Sequence, residues 1–171
     1  MKNYGRAIIF IVFMAMLSFA AFQRNISWKD SITLWKDSIK KTGSSRAYNN
    51  LGAAFVEKGD MDEAIKNFET AKRLGPSFSI FYNLGGAYGV KGFIDKAIEE
   101  YLEAVNPEKQ FWGIKSDYKE GFASAHYRLG LLFEKKGMVD EAVYYYEMAA
   151  KLNPKYYDMV YKKHLIIYTT P

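Results

Sequence analysis

Residues 47–76 read AYNNLGAAFVEKGDMDEAIKNFETAKRLGP, and their pattern returns as IFYNLGGAYGVKGFIDKAIEEYLEA at 80–104 and AHYRLGLLFEKKGMVDEAVYYYEMAAKLNP at 125–154. The first copy carries Tyr48, Leu51, Gly52, Phe55, Ala64, Phe68 and Ala71. The second has Phe81, Leu84, Gly85, Tyr88, Ala97, Tyr101 and Ala104 at the same spacing, and the third His126, Leu129, Gly130, Phe133, Ala142, Tyr146 and Ala149. Steps of three and four residues put each half of a copy on one side of a helix. Between the halves stand Lys58-Gly59-Asp60, Lys91-Gly92 and Lys136-Gly137, where a glycine just past the last apolar residue ends a helix. Asp62-Glu63 and Asp140-Glu141 then put carboxylates in the positive first turn of the next helix. Each copy is a helical hairpin with one apolar side that it cannot bury alone, so stacking of hairpins must supply the core. Gly52, Gly85 and Gly130 lack a Cβ and let a neighbouring helix approach, with Ala64, Ala97 and Ala142 as the facing small surface.

With Pro76 and Pro154 closing the first and third copies, the pattern resembles the tetratricopeptide repeat, a helix-turn-helix unit of about 34 residues. The resemblance covers residues 44–156. It implies an all-α solenoid of three hairpins with flanking helices, a non-catalytic module for protein–protein interaction or assembly that carries no cofactor. In that family the first helices line a groove, which here brings together Arg46, Asn49, Asn50, Tyr82, Asn83, Tyr127 and Arg128. An asparagine side chain donates and accepts at once, which suits the backbone of an extended partner peptide. The alternative for Asn50 and Asn83 is a bond to neighbouring backbone. Asn49 and Ala53 stand where chaperone-tail binders of the family carry basic residues, so the resemblance implies no heat-shock chaperone partner.

Outward from the repeats, residues 7–22 form a run in which Ser18 is the only polar side chain, preceded by Lys2 and Arg6 and followed by Arg24. A helix of that length spans roughly 24 Å, slightly short of the ~30 Å hydrocarbon core, and Tyr4 and Trp28 can serve the two interfaces. Residues 1–23 read as a single-pass membrane anchor carrying an extracytoplasmic repeat domain. The alternative is a signal peptide cleaved before Ala21 and a secreted product. Residues 24–43 contain Ser27 as a helix cap, then Ile32, Trp35 and Ile39 on one side, with Ser31, Trp35 and Ser38 matching the small-aromatic-small positions of a second helix. This is half a repeat. The apolar run, Arg24-Asn25 and the two Trp-x-Asp steps also resemble the junction between the last transmembrane helix and the repeats of O-mannosyltransferase-like membrane proteins. That resemblance implies, as an alternative, an accessory or truncated component of a membrane glycosyltransferase system, with no catalytic residue present.

Leu51 and Leu84 lie 33 residues apart but Leu84 and Leu129 lie 45 apart, which marks an insertion over 106–121 containing Phe111, Trp112, Ile114 and Tyr118. Its aromatics either tuck against the hairpins or offer a binding face. Residues 157–171 make one further helix, in which Tyr157, Val160, Tyr161, Leu165 and Tyr168 form a stripe and Ile166 adds apolar surface. A solenoid end is normally polar, so this stripe and the uncovered Trp35 at the other end predict end-to-end self-association into an oligomer or filament, or docking in a multi-subunit membrane complex. The contrary expectation is that the last helix folds back and caps the third hairpin.

The net charge of +5 does not point to nucleic acid. Residues 1–43 hold seven Lys/Arg against two Asp/Glu, and residues 44–171 hold seventeen of each, so the basic excess flanks the apolar run and suits a membrane surface. Cysteine is absent, which excludes disulfides and thiolate metal sites. Of the two histidines, His126 occupies an aromatic position of the repeat and reads as a packed imidazole rather than a ligand or base.

Overall fold

The computed structural model describes residues 10, 12–14, 16, 31–106 and 119–158. From Ser31 onward these form α1 (Ser31–Thr42), α2 (Ser45–Lys58), α3 (Met61–Leu74), α4 (Phe78–Val90), α5 (Ile94–Val105), α6 (Lys119–Lys135), α7 (Val139–Leu152) and a 3-10 turn at Pro154–Tyr156. The result is an all-α solenoid in which α2/α3, α4/α5 and α6/α7 are the three hairpins and α1 packs on the first.

Local chemistry sets the boundaries. Gly59, Gly92 and Gly137 have φ of +84°, +80° and +74°, a left-handed geometry open to glycine at little cost. In each case the two residues at the turn bond back into the helix: Gly59 N–H donates to the Val56 carbonyl and Asp60 N–H to the Phe55 carbonyl, both at 2.9 Å. Asp60 then caps α3 by accepting from Glu63 N–H at 3.2 Å, and Ser44 caps α2 by accepting from Ala47 N–H at 3.3 Å. At the far end of the first hairpin the Ser45 hydroxyl lies 2.9 Å from the Ala71 carbonyl oxygen and 2.7 Å from that of Gly75, so it ties the start of α2 to the C-terminal end of α3.

Within each hairpin the leucine and the two alanines of the pattern are buried, with Leu84, Leu129, Ala64, Ala97 and Ala142 at 0% exposure. The close approach at the pattern's glycines is made by an aromatic ring, not by neighbouring backbone as the sequence suggests. A Cβ on Gly52 would stand 2.6 Å from the Phe68 ring and one on Gly85 2.9 Å from the Tyr101 ring, while at Gly130 it would overlap Tyr146. Each glycine is therefore the socket for the ring of its own partner helix, and burying that ring contributes roughly 2–3 kcal/mol.

Three regions differ from the regular pattern. The half-repeat is a helix from Ser31, with Ile32 buried and Trp35 and Ile39 half-buried against the core around Leu51 and Phe55. Helix α6 begins at Lys119, inside the stretch assigned to the insertion, and is a turn longer than α4 at its start. Its extra turn is held by Phe122 on Phe78, ring centroids 4.7 Å apart, and by Gly121, where a Cβ would meet the Phe78 ring at 2.8 Å. Finally Tyr156 folds back against Tyr127, ring centroids 5.1 Å apart, and is buried over the third hairpin. Ser27, Trp112 and the stripe residues Val160, Tyr161, Leu165, Ile166 and Tyr168 lie outside the described residues, and Tyr157 is exposed.

Among the described residues no helix is long and apolar enough to cross a membrane. Most of residues 7–22 lies outside them; Phe10, Val12, Phe13, Met14 and Met16 are helical and exposed.

Candidate functional site

The first helices α2, α4 and α6 present their groove-side residues in register. Asn83 Nδ2 donates to Asn49 Oδ1 at 3.0 Å, tying the first hairpin to the second through side chains rather than through backbone. One repeat further on, the same two pattern positions are Tyr82 and Arg128, and Arg128 Nε donates to Tyr82 Oη at 2.9 Å. The Arg128 guanidinium also lies 5.5 Å from the Tyr82 ring centroid, and Tyr82 Oη is 2.8 Å from Ser124 Oγ. Arg128 remains exposed, a cation fixed by aromatic and hydroxyl partners instead of a carboxylate.

Two cavities of about 380 and 250 Å³ lie along this face and share Gly86, Val90, Tyr101 and Arg128. Gly86 and Gly89 keep the α4 surface low, so the floor is backbone and Tyr101, whose phenol is pushed up to about 12 by burial and stays protonated as a donor. Glu57 stands on one side and Lys135 on the other. Such a channel offers the Asn83 amide, bonded to Asn49, one fixed cation and the Tyr101 phenol, groups able to meet the main chain of an extended segment.

The seven residues picked from the sequence divide accordingly. Asn49, Tyr82, Asn83 and Arg128 form the two cross-repeat pairs. Asn50 is half-buried and Arg46 exposed, both on α2 at the N-terminal end of the array. Tyr127 packs between Tyr146 and Tyr156, ring centroids 5.5 and 5.1 Å away, at the C-terminal end and off the channel. Sequence reasoning missed Tyr101, which lines both cavities from α5, and Ser124, whose hydroxyl holds Tyr82 Oη.

The outer side holds a different arrangement. His126 is 9% exposed, its ring stacks on Tyr145 with centroids 5.9 Å apart, and burial lowers its pKa to about 4, so the imidazole is neutral. At the equivalent place in the second hairpin, Phe81 is covered by Lys72, whose Nζ is 5.4 Å from the ring centroid and 2.6 Å from Glu100 Oε1.

The tetratricopeptide repeat model matches residues 45–78 and 123–156, over the first and third hairpins. Protein bimA of Emericella nidulans is 30% identical over 111 residues, 65% of this chain and 12% of that protein. The chain thus spans about an eighth of the length of the curated relative it matches. Among solved structures, a MamA protein is 31% identical with a TM-score of 0.60, over 74% of this chain and 64% of that one. The TPR2AB domain of yeast Sti1, solved as a complex with pHSP90, shares the fold at 18% identity and a TM-score of 0.56, over 74% of this chain and 51% of that one.

Proposed function

We propose that the protein is a non-catalytic, membrane-anchored scaffold whose groove holds an extended segment of a partner protein. The observation that carries this reading is the pair of cross-repeat contacts, Asn49 with Asn83 and Tyr82 with Arg128, which fix polar groups along a channel floored by Gly86. Preformed polar groups lose little entropy when a chain docks, so the channel is suited to binding. The solved complex of yeast Sti1 with pHSP90 supports protein binding as a use of this fold. Membrane attachment in this reading rests on the apolar run at residues 7–22 beside a basic flank, with the repeats proposed on the extracytoplasmic side. A second copy stacked end to end, using Trp35 and the apolar residues that the sequence carries at 160–168, belongs to the same proposal. Nothing among the described residues favours the glycosyltransferase-accessory alternative over it.

The test is a pull-down of full-length chain in mild detergent, quantified by mass spectrometry, with wild type beside the double variant Asn49→Leu, Asn83→Leu and the single variant Arg128→Glu. Selective loss of the same partner set from both variants, with unchanged thermal melting, is expected. Retention of the full set by both variants would remove the groove from the function.

A further inference from the structure

A cavity of about 530 Å³ opens between α5, the start of α6 and α7, and shares no lining residue with the groove. Its walls are apolar and aromatic, with Leu102, Val105, Phe122, Tyr144, Tyr145 and Met148 among them. Glu103, Asn106 and Lys119 also line it, and one buried polar side chain stands among the apolar ones. His126 lines the cavity, is more than nine-tenths buried at 9% exposure, and its Nδ1 has no hydrogen-bond partner. A buried polar atom left unpaired costs roughly 1–3 kcal/mol, and Phe, the residue at the same position of the second repeat, would remove that cost. Volume, apolar lining and one convergent polar atom are the features of a ligand pocket.

We infer that this cavity is a second binding site, which takes an aromatic side chain of a partner protein bearing its own hydrogen-bonding group, a tryptophan indole or a tyrosine phenol, paired with His126 Nδ1. A ring of that size fills space between Phe122 and Tyr145 with favourable ring–ring geometry, while its N–H or O–H meets the unpaired nitrogen. Burial keeps the imidazole neutral, so Nδ1 can accept as well as donate. An aliphatic or plain phenyl group would fill the same volume and leave Nδ1 unpaired. The surface around the mouth fits a protein better than a free small molecule, because Leu102 and Tyr144 carry the apolar lining outward at 38% and 56% exposure. Glu103 and Lys119 also stand at the lining, and opposite charges suit the flanks of a docked peptide. The site is independent of the groove: it can bind with the groove variants in place.

The chain has two histidines, so imidazole nitrogen spectra of the full-length protein in lipid nanodiscs contain two ring systems, assigned with His164→Gln. The probes are N-acetyltryptophanamide, N-acetyltyrosinamide, N-acetylphenylalaninamide and N-acetylleucinamide. The expected result is a saturable shift of the His126 Nδ1 resonance with the first two, at about tenfold tighter affinity than with the phenylalanine probe. In His126→Phe the methyl resonance of Met148 reports occupancy, and the preference for tyrosine over phenylalanine probe should vanish. Equal affinity for all four probes, or none for any, overturns the inference. So does a wild type that binds nothing while Trp112→Ala binds the indole probe, since the chain's own residues 107–118 would then fill the cavity.

Discussion

The junction between the first and second hairpins and the junction between the second and third are built from the same pattern positions, and they agree on two sides out of three. On the groove side, Asn49 with Asn83 at the first junction becomes Tyr82 with Arg128 at the second, a side-chain hydrogen bond in both. At the turn side, Lys91 with Asp62 becomes Lys136 with Asp95, an ion pair in both. On the outer side the two part. The first junction is closed by polar ties, Lys72 to Glu100 over the Phe81 ring and Tyr88 Oη donating to Glu69 at 2.5 Å. The equivalent residues of the second are Val105, Tyr145, His126, Phe133 and Leu102, and there the cavity opens. Insertion of residues into a solenoid therefore left its groove-side and turn contacts in register and changed the chemistry of one outer seam. The difference puts an open cavity where the repeat was interrupted.

The largest effect should come from removing the second junction altogether. Gly130→Leu would drive a side chain into the space of Tyr146, which is fully buried and donates to Glu134. Overpacking of this kind costs about 3 kcal/mol, enough to separate a third-hairpin transition from the rest in urea melts followed by circular dichroism. Gly86→Ala is the control, since its Cβ would find only the Tyr101 hydroxyl at 3.5 Å; an equal loss there would mean the ring sockets are not what the glycines provide.

Acid should separate the seams next. His126 has its folded pKa depressed from 6.5 to about 4, so between those values the unfolded chain binds a proton that the folded chain refuses. Stability from this group is complete above pH 6.5 and falls by about 3 kcal/mol as pH drops toward 4. Glu103 on α5, Lys119 on α6 and the phenols of Tyr144 and Tyr145 on α7 face the same cavity. Urea midpoints of wild type and His126→Phe between pH 7 and 4.5 should diverge, with the variant flatter. Parallel curves would place the acid sensitivity elsewhere.

At the first seam the sign reverses. Glu100 has a side chain 8% exposed, and burial raises its pKa against the lowering effect of Lys72. Its contribution is full below about 4.5 and is lost as pH rises through the folded value. Lys72→Met removes the opposing cation, raises that value further and should cost about 2 kcal/mol at pH 7, discounted because Lys72 is 37% exposed. The deficit should shrink on acidification toward pH 4.5, and one independent of pH would show that Lys72 acts through its stem on Phe81 alone.

Much of this was legible in residue spacing, because hairpin packing is local: the steps between Leu51, Gly52, Ala64 and Phe68 specify helix faces and turns without knowledge of neighbours. The groove pairs were half legible. Asn49, Asn83, Tyr82 and Arg128 followed from their places in the repeat, but their pairing across hairpins depends on the distance between stacked helices, which no single copy encodes. The cavity was hidden for the same reason. His126 read as a packed imidazole, and so it is on the face that stacks on Tyr145; only the lost Lys72–Glu100 equivalent leaves its other side open. The triple tyrosine at 144–146 divides as the pattern position of Tyr146 requires: helical rotation puts Tyr146 at 0% exposure, leaves Tyr145 half-buried and Tyr144 at 56%.

The smallest predicted effect is an equality. If the turn side is the same structure at both junctions, Lys91→Met and Lys136→Met should cost the same small amount. The acceptors Asp62 and Asp95 have side chains 81% and 84% exposed, so solvent screens both pairs alike. An exposed pair contributes about 0–1 kcal/mol, and added salt should erase most of it over the range in which the Debye length falls from about 10 to 3 Å. The lysines differ in one respect. Lys91 Nζ also lies 5.6 Å from the Phe93 ring centroid, and the equivalent of Phe93 in the third hairpin is Met138. A residual excess for Lys91→Met that survives 1 M salt would therefore measure the ring contact, since desolvated cation–ring attraction is screened less than an open ion pair. If instead Lys136→Met costs more, the wider outer seam must throw extra load onto its turn side. The two junctions would then be coupled rather than independently assembled.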